Sequence, residues 1–230
     1  MRRMLTTLFL LVVAVPLWPQ ASCSADRDGV GTLRIVVDTS KSPEMALWAA
    51  RAKAVGEQNY QLVCQQLAGP HFAPPTVVRL VVEPRKGVAA TSGAVIHCSA
   101  AYFQTHPDDL GAIVHELCHV VQAYGKNRVP GWVTEGIADY VRWFCYEPPE
   151  RRPRVNPRRA KYSDGYRTTA AFFDWIHRTK NQSFVRRLNE AARADQYSDR
   201  LFQQYAGKPL DQLWNEFLQA SADEAQRPKR

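Results

Sequence analysis

The chain has 230 residues, 45% of them apolar, and a formal net charge of +8. These values exclude disorder of the whole and allow one domain with a sizeable core, or at most two small ones. The basic balance favours acidic partners such as nucleic acid, anionic cell-surface polymers or membrane head groups.

Arg2 and Arg3 precede an almost unbroken apolar run from Leu5 to Trp18 that carries no charge, the pattern of a secretory signal peptide. The run is short for a bilayer span and a polar stretch, 20–28, follows it directly. Cleavage near Ala25 is therefore expected rather than a membrane anchor. The expected mature chain, 26–230, is a single domain without a transmembrane segment. It keeps a charge of +6, because the leader removes only Arg2 and Arg3 from the +8. A secreted or periplasmic destination counts against nucleic acid as a partner. Cys23 invites a lipoprotein reading, but Gln20 stands where such signals want an aliphatic residue. Cys64, Cys98, Cys118 and Cys145 remain, an even number in a chain bound for an oxidising compartment. They are read either as two disulfides in one of three connectivities or as four buried thiols.

The β-branched segment 32–38 reads as a strand, and a helix over 43–67 follows it with Pro43 at its start. Segments 76–83 and 94–99 read as two more strands. From there every periodic stretch is helical: 107–124, 132–143, 166–180, 183–193, 198–205 and 209–222. Strands first and helices after, with a motif helix at the junction, predict an α+β domain: a small N-terminal mixed sheet followed by an all-helical half. Between the second and third of those helices, 147–161 interleaves Arg151, Arg152, Arg154, Arg158, Arg159 and Lys161 with four prolines. Prolines at that density make it a loop. Its arginines are read either as solvated charge or as a docking site for an acidic surface.

Within 107–124 stands His115-Glu116-x-x-His119. Two His four residues apart on a helix project about 40° apart, so both imidazoles reach one ion. Glu116, about 100° round from His115, lies beside the metal without being a ligand and is placed to serve as general base. Zinc wants a third protein ligand and an open position. Glu135, 16 residues after His119 (135 − 119), falls on the next helix if that helix returns antiparallel beneath the first. Asp139 shares its face and is read as the carboxylate that holds a ligand imidazole by its other N–H. One Zn2+ per chain is the expected cofactor. Burying two His and a Glu without a partner would be costly, which argues against a merely polar helix face.

The run HELCHVVQAYGKNRVPGWVTEGIADYVRW resembles the core of the basic secretory proteins of plants and their bacterial relatives, a family of peptidases. The likeness continues in KYSDGYRTTAAFFDWI, NQSFVRRLNEAARADQYSD, GKPLDQLWNEF and, upstream, AVIHCSAAYF. The resemblance implies a zincin-like fold of the gluzincin type, with the third ligand at Glu135, and hydrolysis of a peptide or protein substrate. By analogy with gluzincins, a Tyr or His from the helical half stabilises the developing oxyanion, and Tyr166 after Ser163-Asp164-Gly165 is the candidate. If the strand carrying His97 is the edge strand that zincins use for substrate, His97 lines the cleft; otherwise it is a structural histidine.

Two other readings keep part of this picture. In one the zinc is structural and the chain, expected in either case to be a monomer, is a non-catalytic secreted protein of defence type, although such a site has no use for Glu116. In the other, a polyanion-binding protein works through the Arg151 to Lys161 loop.

Overall fold

The computed structural model describes residues 31–226, so the expected leader and Cys23 lie outside the described residues. Strand β1 (Arg34–Asp38) feeds helix α1 (Ala46–Leu67), which crosses one face of the sheet and delivers the chain to β2 (Val77–Glu83), parallel to β1 with Ile35 opposite Val78. The buried positions of α1, Trp48, Ala49, Ala52, Gly56, Tyr60, Val63, Cys64 and Leu67, recur at helical spacing and form the stripe that packs on the sheet. At Gly56 the helix comes so close to β1 that a Cβ would stand 2.5 Å from Ile35 Cδ1. No larger residue fits without moving one of the two.

Strands β3 (Ala89–Ser92) and β4 (Val95–Ser99) form an antiparallel hairpin, and β4 lies parallel to β2. The resulting order is β1-β2-β4-β3, a four-stranded mixed sheet. Two corrections to the sequence reading follow. Strand β3 is additional, and it takes the edge, so β4 with His97 is an interior strand. A short helix, α2 (Ala100–Thr105), is also additional; Ser99 Oγ accepts its first-turn hydrogen bond from Tyr102 N at 3.3 Å.

The motif helix α3 (Gly111–Gln122) starts four residues later than its periodicity suggests, because 107–110 form a turn. All of it except His119 is buried, between the sheet, α1 and the following helix. It ends at Ala123 in the left-handed region (φ 48°), and Gly125 (φ 60°) helps reverse the chain. Helix α4 (Gly131–Tyr140) returns alongside and passes into a wider π-helical turn at Val141–Tyr146. Helices α5 (Tyr166–Thr179), α6 (Phe184–Arg193), α7 (Arg200–Ala206) and α8 (Leu210–Gln226) complete the helical half. They close on an aromatic cluster of Phe172, Phe173, Phe184, Phe202, Trp214 and Phe217. Among the described residues no helix is long and apolar enough to cross a membrane. Cys64, Cys98, Cys118 and Cys145 are all free thiols, the first three buried and Cys145 half-buried.

Arg193 ties α6 to the end of the motif helix. Its Nε and Nη2 donate to the carbonyls of Gln122, Val121 and Leu67 at 3.2, 2.9 and 3.1 Å, and its guanidinium lies 3.8 Å from the centroid of the Phe72 ring. These are carbonyls that a helix end leaves without intrahelical partners. Arg193→Met should lower unfolding free energy by about 2–3 kcal/mol, because three carbonyls lose a charged donor. Urea denaturation measures this; an unshifted midpoint would contradict the clamp.

Candidate functional site

One turn of α3 separates His115 from His119, and their rings meet edge to face with centroids 4.8 Å apart. Their Nε2 atoms are 3.1 Å apart, and Glu135 Oε2, from α4, stands 3.1 Å from the first and 3.5 Å from the second. The three donor atoms all lie within 4.8 Å of one another.

The other ring nitrogens determine what those atoms can do. His115 Nδ1 is 2.7 Å from Asp139 Oδ1, and His119 Nδ1 is 2.7 Å from Gln122 Oε1. The Gln122 amide is oriented by its own donor, since Nε2 gives a hydrogen bond to Thr134 O at 2.8 Å. Both Nδ1 atoms therefore face acceptors and must donate. With both rings neutral, that leaves two Nε2 lone pairs and a carboxylate oxygen converging on one point, an arrangement that a proton on one ring or a cation at the centre relieves. Acid–base properties carry the same signature. Burial pulls the His115 imidazole down, but hydrogen bonds to Asp139 and Glu135 outweigh it and raise its pKa to about 9. Burial pushes Glu135 up, and the two imidazoles bring it down to about 2. Two nitrogens and one carboxylate oxygen, two of the three residues only partly buried, form a donor set that could hold a metal ion.

Glu116 is 6% exposed, and its Oε2 accepts from Thr91 Oγ1 at 2.7 Å. Thr91 belongs to β3, so the edge strand both holds Glu116 and lines the cleft with Ala89 and Ala90. The cleft has a volume of about 1010 Å³ and contains His115, Glu116, His119 and Glu135 in its walls.

Tyr166 stands at the start of α5 in the left-handed region (φ 44°), a backbone state that costs a residue of its size roughly 1–2 kcal/mol. Its ring lies nearly parallel to that of His115, centroids 6.3 Å apart, and the residue is 55% exposed in the cleft. The Glu135 charge and then burial raise its pKa, which keeps the phenol a proton donor at neutral pH.

His97 is elsewhere. Its Nδ1 meets Glu83 Oε1 at 2.9 Å, its carbonyl accepts from Arg85, and it is not among the residues that line the cleft. This is the structural alternative of the two sequence readings. The loop arginines are also away from the cleft: Arg151 pairs with Glu147 and Arg152 lies against the Phe144 ring. The sequence reading had no place for Gln122, Thr91, Arg142 or Arg167, although all four line the cleft. Gln122 alone left a legible signal, three residues beyond His119 on the same helix face.

A family model described as "BSP: Peptidase of plants and bacteria" matches residues 40–217. No curated protein and no solved structure matches the chain.

Proposed function

Since the chain belongs to the BSP family, peptidases of plants and bacteria, we propose that it is a secreted, zinc-dependent metallopeptidase of zincin-like fold, with one active site in a single domain, 26–230. The observation that carries this reading is the convergence of His115 Nε2, His119 Nε2 and Glu135 Oε2 while both Nδ1 atoms are committed to acceptors.

His115, His119 and Glu135 would hold the zinc. Asp139 and Gln122 accept from the Nδ1 atoms and fix the ring planes of the two imidazoles, so both Nε2 atoms face the position the metal would take. When bound, zinc supplies Lewis acidity, which polarises a carbonyl and lowers the pKa of a water to about 7. Glu116 accepts the proton of the attacking water and passes it to the leaving amine, with Thr91 holding the carboxylate toward the cleft. Tyr166 donates its phenolic proton as a hydrogen bond to the oxyanion that develops on the substrate carbonyl. Edge strand β3 offers main-chain groups along which an extended peptide aligns. A structural site would use the same three ligands but would leave Glu116, Thr91 and the open cleft without a task.

Cleavage of an unstructured protein substrate tests the reading. Activity should disappear on treatment with a chelator and return on addition of one equivalent of zinc. Equal cleavage before and after chelation would remove the metal from the reaction.

A further inference from the structure

The cleft has a second chemical feature besides the three converging donors. Where α4 passes into the π-helical turn, Arg142 and Trp143 enter the cleft wall, opposite Arg167 from the first turn of α5. The guanidinium carbons of Arg142 and Arg167 each lie 4.4 Å from the centroid of the same Trp143 ring. The two cations are thus at most twice that distance apart, on a ring that is 8% exposed.

Asp109 balances Arg142, and the nearby carboxylates leave Arg167 unpaired. Asp109 is used up: it pairs with Arg142 Nη2 and accepts from Tyr102 Oη at 2.8 Å. Glu147 takes Arg151, and Asp164 takes the backbone N–H of Lys161 at 2.8 Å. Among the described residues Arg167 has no carboxylate partner, and Arg142 Nε is buried without an acceptor. The side chain of Arg142 is only 13% exposed, so its Nε–H has no water to replace the missing acceptor. The first amide groups of α5 border the same space, and no side chain caps them. They add the positive end of a helix dipole to the unpaired Arg167 cation.

We propose that this corner is a substrate subsite for a carboxylate, in which Arg167, backed by the Trp143 ring and by Arg142, sets specificity; the assignment rests on the peptidase reading above. Arg142 follows Glu135 by seven residues (142 − 135) along one continuous helical run, which places it roughly 10 Å further along the axis. That distance corresponds to about three residues of extended peptide. The recognised group is therefore a short way along the chain from the scissile bond rather than at it. Its source is either an acidic side chain or the C-terminal carboxylate of a short peptide.

Two sets of peptides separate these sources: internal Glu against Gln at each position in turn, and free against amidated C-termini. The zinc-loaded wild type should prefer the carboxylate member of one set by about tenfold in kcat/KM, mainly through KM. In Arg167→Gln that ratio should fall to within about twofold, and Arg167→Lys should keep part of it. A wild type that treats both members of both sets alike would overturn the subsite. If no peptide at all is cleaved, the peptidase reading fails instead. Calorimetric binding of the same pairs then reads the same ratio and decides the subsite independently.

Discussion

Glu116→Gln should lower kcat on peptide substrates by about 10²–10⁴-fold, the usual weight of a positioned general base. The substitution is nearly isosteric in a site that is 6% exposed, and the amide oxygen can still accept from Thr91 Oγ1. Folding should therefore be preserved. The amide cannot take a proton from water, so the loss should fall on kcat and leave KM nearly unchanged. Zinc content should stay at the wild-type level, because Glu116 is not among the three converging donors. A variant that cleaves as fast as wild type would remove Glu116 from the chemistry. One that is inactive and also lacks metal would place it among the ligands.

Asp139→Ala should weaken zinc binding by about 10–100-fold while leaving all three ligands in place. His115 is the more dependent imidazole, since its Nδ1 is held by Asp139 at 2.7 Å in a setting where neither side chain is more than 10% exposed. Without that acceptor the ring loses its enforced tautomer and a buried N–H loses its partner. A smaller effect runs the other way. With its pKa at about 9 in the metal-free protein, His115 is protonated at neutral pH, so zinc must displace a proton. Apparent affinity in the wild type should fall by about tenfold for each pH unit below 9, as expected for one displaced proton. Removing Asp139 takes away one of the contacts that raise this pKa, so in the variant the fall in affinity should begin at a lower pH. Zinc titration against a competing chelator at several pH values measures both onsets. A fall that begins at the same pH in both proteins would show that Asp139 does not control His115.

The candidate ligands were legible in the sequence for a geometric reason: a helix repeats every 3.6 residues, so His115 and His119 share a face whatever surrounds them. Glu135 and Asp139 follow the same rule on the next helix, and Gly125 marks the reversal between the two. The groups around them obey no such local rule. Thr91 reaches Glu116 only because a hairpin folds β3 onto the edge of the sheet. The segment Ala89–Ser92 is short, built from small residues and bounded by turns, so its strand character comes from pairing with β4 rather than from propensity. The role of His97 stayed open between cleft and structure for the same reason, since recognising β4 as interior requires knowing that β3 exists. The start of α3 was read too early because Pro107 suits a first helical position, whereas the chain uses 107–110 as a turn. Arg142 and Arg167 are 25 residues apart (167 − 142) and meet on Trp143 through the packing of α5 on α4, which no spacing encodes.

The central claim is that His115, His119 and Glu135 hold one zinc ion, and elemental analysis of the purified mature protein after dialysis tests it most directly. The wild type should contain one zinc per chain, and a His115→Ala/His119→Ala double variant that retains its fold should contain almost none. Less than about half an equivalent in the wild type, or equal zinc in both proteins, would contradict the site described above.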